Sequence, residues 1–501
     1  MNPVPDIYRI LPEVILTLTG VAVMLIDATL PSRLPRRQLG WAAAIGTTFA
    51  LWASLWQLSL PQGTGFFGTV ETSAFTIFFH VLICGIVLVA LLLSLDTLPE
   101  DSHHQGEFYA LIVFGAVGMC LLTGAVELLV VFIALEISSI ATYVLAGYRK
   151  QTVRGPEAAI KYFLLGSFAT AFLLYGVALI FGATGTTQIY EIAQHQGLAL
   201  NQPLILAGMA LMLVGILFKV SAAPFHVWTP DVYEGAPSPV VALLSTAPKA
   251  AAFAVLLRIA YELFPNLHSL WAPLLWAVAV LSMTVGNLAA LRQQNVKRML
   301  AYSSIAHAGY ILVAFAAGSA EGVAAASFYL VSYAAMNIGA FTILSYAARY
   351  EERAASFSDF AGLARRSPFI AATFTLFLLS LIGIPFTGGF FGKFYVFTAA
   401  LHSGLVWLTV IGLLNSGLAA FYYLRVIATM YMRSPDEGTA LTLKPMSFGT
   451  ATVLVFAAAA TLFLGIVPSH VLDAAQSAAA SLTASPNAAT TAPAAAVNPA
   501  P

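Results

Sequence analysis

Apolar residues along this chain run together in blocks of about twenty, separated by short polar joints. Blocks long enough to cross a hydrocarbon layer of about 30 Å lie at 10–30, 39–60, 74–96, 108–124, 125–147, 158–182 and 203–236. Seven more lie at 239–263, 269–291, 298–317, 323–349, 368–401, 404–431 and 447–467. With no water to satisfy peptide groups inside a bilayer, such blocks must be helical. The pattern therefore predicts an all-α polytopic membrane protein with about fourteen transmembrane helices. The first block contains Glu13 and Asp27, lacks a basic cluster before it and has no small-residue cleavage pattern, so it reads as a retained helix.

Two blocks are too long for one straight crossing and carry proline and glycine near their middles: 203–236 at Pro224, and 368–401 at Gly383, Pro385, Gly388 and Gly389. Both are expected to be discontinuous, and unwound backbone at membrane depth is tolerated only where it is buried in protein or lines a wet cavity. They are the seventh and twelfth blocks, five apart. A five-helix unit copied in tandem enters the membrane from the opposite side the second time, so helices 4–8 and 9–13 are expected to be inverted repeats with a broken helix in each. The resulting division is an N-terminal three-helix segment (1–100), two repeats (108–263 and 269–431), a last helix (447–467) and a disordered tail rich in Ala, Ser, Thr and Pro (474–501).

Composition agrees: 59% of the 501 residues are hydrophobic and 9% charged, which excludes an ordinary soluble domain. Basic and acidic residues balance at 22 each, and no basic aromatic stripe points to nucleic acid. Cys84 and Cys120 lie inside apolar blocks, far from a metal-ligand or disulfide spacing. Fifteen of the basic residues fall in alternate joints, among them Arg33, Arg36, Arg37, Arg149, Lys150, Arg154, Arg349, Arg353 and Lys444, while Arg9 alone lies on the other side. The positive-inside rule then puts those joints in the cytoplasm and both termini outside.

Six basic residues remain within blocks: Lys161, Lys219, Lys249, Arg258, Lys393 and Arg425. A lysine at the bilayer centre costs roughly 2.5 to 3.5 kcal/mol on insertion scales, so each is a functional candidate by default. Lys219 and Lys249 flank the Pro224 break, and Lys393 follows the second break. Lysine suits a proton relay because burial disfavours its charged form and brings both protonation states within reach. Glu136 sits deep in VVFIALEISSIATYVLAG; paired with Lys219 it could hold a charge that separation of the pair would disturb. The alternative is a static pair that fixes helix packing. His307, beside Ser303 and Ser304, can accept on one ring nitrogen and donate on the other; the plain alternative is a hydrogen-bonded core histidine. Lys161, close to the start of its block, either meets the interface or begins a cytoplasmic uptake route. His226, after Pro224, and Tyr422 are secondary candidates.

No phosphate-binding glycine loop, Cys/His metal cluster or nucleophile–base arrangement is legible, so the driving force must come from an ion gradient or a partner's chemistry. At this point LEISSIATYVLAGYRK, FKVSAAPFHVWTPDVYEGAPSPVVALLSTAPKAAAF, QQNVKRMLAYSSIAHAGY and GIPFTGGFFGKFYVF resemble the antiporter-like membrane subunits of respiratory complex I and of multisubunit cation/proton antiporters. With PEVILTLTGVAVMLIDA at the start, the resemblance is strongest to the N branch of bacterial NADH:quinone oxidoreductases.

That resemblance implies a proton-translocating subunit of a complex in the bacterial inner membrane, coupled to quinone reduction by partner subunits that carry the NADH site, FMN, iron-sulfur clusters and quinone. By motif it assigns translocation to Glu136, Lys219, Lys249, His307 and Lys393, with Lys161, His226 and Tyr422 nearby, and no cofactor or metal to this chain. A subunit of a Na⁺/H⁺ antiporter, a hydrogenase-linked ion pump and a structural spacer remain open alternatives.

Overall fold

The computed structural model describes residues 5–31, 36–95, 105–149, 153–195, 202–348, 356–434 and 445–483. Arg33, Lys150, Arg349, Arg353 and Lys444, used above for orientation, lie outside the described residues. The N-terminal segment is α1 (Leu11–Thr29), α2 (Arg37–Trp56) and α3 (Ala74–Ser94). Then follow α4 (Gln105–Gly124), α5 (Leu128–Ala146), α6 (Arg154–Thr184), the short α7 (Ile189–His195), α8 (Gln202–Lys219), α9 (Trp228–Gly235), α10 (Ser238–Leu244) and α11 (Ala247–Arg258). The remainder is α12 (His268–Leu291), α13 (Val296–Ala316), α14 (Ala320–Ala348), the single turn α15 (Leu363–Arg366), α16 (Pro368–Ile382), α17 (Gly388–His402), α18 (Val406–Met432), α19 (Phe448–Ile466) and α20 (Ser469–Thr483).

Thirteen helical stretches among the described residues are long and apolar enough to cross a membrane. The block at 368–401 is instead two helices of 15 residues each, too short singly. Outward-facing apolar side chains such as Leu18, Trp52, Phe168, Leu414 and Phe421 are exposed, as a lipid-facing surface requires. The stretch from Ser238 to Ala260 is buried throughout, and α13 and α14 nearly so. These three carry polar side chains in the middle of the molecule, surrounded by the other helices. The pairings α4–α5, α5–α6 and α4–α11 have counterparts in α12–α13, α13–α14 and α12–α18.

Both expected breaks have local causes. α16 stops at Gly383, whose φ of +94° suits a residue without Cβ, and its amide donates back to Leu379 and Ser380. Pro385 cannot continue the helix, and the Gly389 amide of α17 returns to Ser380 Oγ at 3.1 Å. α8 stops at Lys219; Ser221 has a φ of +64°, and the Ala222 amide donates to Leu217 O at 2.9 Å. The freed Phe218 carbonyl accepts from the Trp228 indole at 3.1 Å, so Lys219 is the last residue of its helix, not the midpoint of a longer one.

Three details differ from the sequence expectation. The block 239–263 is not one regular helix: it is interrupted at Ser245 and Thr246 between α10 and α11, because Thr246 leaves helical geometry just ahead of Pro248, which is tolerated only in a first helical turn. The tail is not structureless from 474 onward: α20 runs to Thr483, and Ala475, Ala478, Ala479 and Leu482 are buried on one face against α3 and α14. Small residues at that spacing give a close-packing stripe that composition alone hides. A short antiparallel hairpin, Gly63–Gly65 with Val70–Thr72, was also not anticipated.

Candidate functional site

Three buried lysines and a buried histidine singled out from the sequence fall into three groups through the middle of the molecule. Lys219, Lys249, His307 and Lys393 are all at most 6% exposed, so each must find its partners inside the protein.

Lys219 donates to Ser139 Oγ at 2.8 Å and to Tyr162 OH at 3.4 Å, and its ammonium lies 5.7 and 5.5 Å from the Tyr143 and Tyr162 ring centroids. Tyr162 is stacked on Trp228 at 4.3 Å, which anchors this pocket to the residues just past the break. The expected direct pair with Glu136 is not made. Glu136 lies one turn before Ser139 on α5, half-buried, with Oε1 enclosed and without a hydrogen-bond partner. The Ser139 hydroxyl takes the lysine instead, while itself donating to the Leu135 carbonyl at 2.6 Å.

Lys249 follows the α10–α11 interruption by three residues and donates to the carbonyl of Ser304 at 3.0 Å and to its hydroxyl. Tyr333 donates to the same hydroxyl at 2.8 Å. One turn along α13, His307 meets Tyr329 OH through Nδ1 at 2.7 Å and Tyr423 OH through Nε2 at 3.3 Å, with its ring 5.2 Å from that of Tyr333. Tyr423 also bonds Ser303. Both nitrogens of His307 thus face hydroxyls, each able to donate or accept.

Lys393, on the first turns of α17, reaches back across the second break. Its ammonium donates to the Leu381 and Ile382 carbonyls at 3.1 and 2.8 Å and to Ser416 Oγ at 2.8 Å, and lies 4.7 Å from the Tyr310 ring centre. The last carbonyls of a helix carry partial negative charge and have no helical donors, so the break itself creates the cation site. Tyr310 OH accepts from Asn287 at 3.2 Å, and Asn287 Oδ1 accepts from Tyr422 at 3.0 Å. Tyr422 packs against Tyr423 at 4.4 Å. A line of polar side chains therefore joins Lys393 to His307 and on to Lys249. Between Lys249 and the Lys219 pocket stands Tyr233, ring 6.3 Å from Trp228, its hydroxyl buried and without a hydrogen-bond partner.

Lys161 stands apart from this line. It is the eighth residue of α6, not the third of a shorter helix, and is half-exposed, pairing with Glu157 and Asp231 at 2.7 Å each. Asp231 and Glu234 both accept from Arg298 at 2.8 Å, an ion network between the two halves. His226 lies half-buried in the first break with Nδ1 unpartnered, and it joins none of the three groups. Sequence reasoning missed Ser139, Ser416, Asn287 and tyrosines 162, 233, 310, 329, 333 and 423, and named Ser304 only as a neighbour of His307. Only the tyrosines' position inside apolar blocks marked them, and that is shared by many packing tyrosines.

Residues 125–419 match the family described as NADH:quinone oxidoreductase/Mrp antiporter, transmembrane. The NADH-quinone oxidoreductase subunit N 2 of Koribacter versatilis is 53% identical over 94% of this chain and 96% of its own length. Subunit N 1 of Solibacter usitatus is 48% identical over 96% and 98%. A chain of respiratory complex I from Thermus thermophilus superposes with a TM-score of 0.79 at 36% identity, over 93% of this chain and 99% of that one. A chain of the Mrp complex from Dietzia gives 0.82 at 21% identity, over 96% and 97%, a likeness of fold. The chain belongs to the NADH:quinone oxidoreductase/Mrp antiporter transmembrane family, in its subunit N branch.

Proposed function

We propose that this chain is a proton-translocating membrane subunit of a NADH:quinone oxidoreductase. It carries protons along Glu136, Lys219, Lys249, His307 and Lys393 while partner subunits reduce quinone. NADH, FMN, iron-sulfur clusters and quinone belong to those partners, and the assembly sits in the bacterial inner membrane with both termini of this chain on the outer side. The observation that carries the reading is the hydroxyl-lined row from Lys249 through His307 to Lys393, in which hydrogen-bonding side chains pass from one buried cation to the next.

The chemistry follows from charge. The ammonium groups of Lys249 and Lys393 are held by hydroxyls and carbonyls with no carboxylate bonded to either, so a proton on one lysine raises the cost of a proton on the next. Motion that brings Glu136 nearer to or farther from Lys219 alters how firmly that lysine holds its proton, and the change passes along the row. Moving one charge against 100 mV costs about 2.3 kcal/mol, which the partners' redox step must supply. Purification of the assembled complex through a tag on this chain tests the placement: flavin and iron-sulfur subunits are expected with it. A complex that lacks them and exchanges Na⁺ for H⁺ without NADH would overturn it.

A further inference from the structure

Away from the lysine row, the N-terminal helices bury a second ionisable pair. Glu13, in the first turns of α1, and His80 of α3 approach to 3.4 Å between Oε1 and Nε2, and the two residues are 6% and 1% exposed. His80 Nε2 also lies 3.0 Å from the carbonyl oxygen of Cys120 on α4. A carbonyl only accepts, so Nε2 carries a hydrogen. Glu13 Oε2 and His80 Nδ1 are then left buried and without hydrogen-bond partners.

Those two open positions set the number of protons the pair can hold. With neither occupied the pair carries one negative charge, with both one positive charge, and with one it is neutral overall. A net charge in an apolar, membrane-spanning site is costly, so the singly occupied state is favoured, with the proton on the carboxyl or shared as carboxylate and imidazolium.

We propose that Glu13 and His80 form a proton-binding site separate from the lysine row, holding one exchangeable proton. The groups facing it are Glu13 from α1, His80 and Cys84 from α3, and Cys120 from α4, the two thiols 4.0 Å apart. From α2 the single ionisable residue is Arg37, at the opposite end of that helix. The site has a polar link to α11. The Thr123 hydroxyl shares the Cys120 carbonyl at 2.8 Å, and the Thr123 carbonyl accepts from Arg258 at 3.4 Å. Arg258, fully buried, also pairs with Glu71 at 2.7 Å and with Glu262, and Tyr190 donates to Glu71 at 3.0 Å. Arg258 ends the helix that begins with Lys249's turn, so a charge change at Glu13 and His80 is felt by the element that holds a row lysine.

Infrared difference spectra of the purified complex across a pH titration test this directly. The wild type is expected to show a protonated-carboxyl band that is lost in Glu13→Gln, and in His80→Gln the midpoint of that band is expected to move by about one pH unit or more. Titration spectra unchanged by Glu13→Gln would overturn the proposal. Where Glu13→Gln does not assemble, His80→Gln alone decides: an unmoved midpoint overturns it. The readout is spectroscopic, so loss of the lysine-row account through unchanged proton stoichiometry would leave this result standing.

Discussion

Lys219 donates to the Ser139 hydroxyl at 2.8 Å, and Ser139 lies one turn beyond Glu136 on α5. The hydroxyl itself donates to the Leu135 carbonyl at 2.6 Å, so Glu136 and Lys219 stand near one another without a direct or bridged bond, and their separation is free to change. Ser139→Ala removes the closer of the two polar partners of Lys219 and leaves Tyr162 at 3.4 Å. A lost hydrogen bond to a charged group is worth about 1.5–3 kcal/mol, so we expect assembled complex with proton translocation reduced several-fold. Ser139→Thr, which keeps the hydroxyl, is expected to retain most of it. Proton uptake in proteoliposomes, normalised to quinone reduction, checks both.

The second break is a cation site made of backbone, which gives Gly389 a specific burden. A Cβ there would run into the carbonyl oxygen of Ser380, a backbone atom that cannot swing aside. Gly389→Ala should force α16 and α17 apart and cost about 1–3 kcal/mol through overpacking, displacing the Leu381 and Ile382 carbonyls that hold Lys393. Reduced thermal stability of the complex together with weakened pumping is the expected result; a variant as stable as wild type would show that the two half-helices are not so closely seated.

His307 is bracketed by two tyrosine hydroxyls, and their removal should differ from removal of the ring. Tyr423→Phe takes away the partner of Nε2 and of Ser303 while keeping the packing. General acid–base groups typically contribute about 10²–10⁴-fold, and a relay with an alternative route through Tyr329 at 2.7 Å should lose less than that. We expect a partial defect in Tyr423→Phe and a larger one in the Tyr329→Phe, Tyr423→Phe double variant, measured as protons moved per quinone reduced. Equal rates in all three proteins would place His307 outside the path.

Lys161, by contrast, is half-exposed and paired with Glu157 and Asp231. Exposed pairs contribute only about 0–1 kcal/mol, so Lys161→Ala should leave assembly and thermal stability almost unchanged. A strong loss of pumping without loss of stability would then mark it as an uptake group, whereas no effect on either marks a surface ion pair. Asp231→Asn, which also strips Arg298 of one partner, is expected to be the more destabilising of the two.

Much of this was legible from the chain because membranes leave few ways to satisfy a backbone. Block length gave the helices, Pro224 and Pro385 gave the breaks, and three of the six basic residues within blocks, Lys219, Lys249 and Lys393, gave the cations of the site. What the sequence did not carry was the reach of particular side chains. Glu136 and Lys219 are the obvious charge pair, yet Ser139 is the group the lysine touches, since a rotation of one helical step decides which side chain faces α8. Nor could it tell that Thr246 interrupts the helix of Lys249, or that α20 packs by three alanines and Leu482. The Arg258 cluster draws on Glu71 in a hairpin, Tyr190 in a short helix and Glu262 one turn on, three places that no local pattern connects.

The most direct test of the account is the number of protons translocated per quinone reduced by the complex carrying Lys219→Ala, reconstituted in proteoliposomes and compared with wild type at equal subunit content. The account predicts that the ratio falls, with quinone reduction either slowed in step or uncoupled from proton movement. A fully assembled Lys219→Ala complex with the wild-type ratio and rate would contradict it.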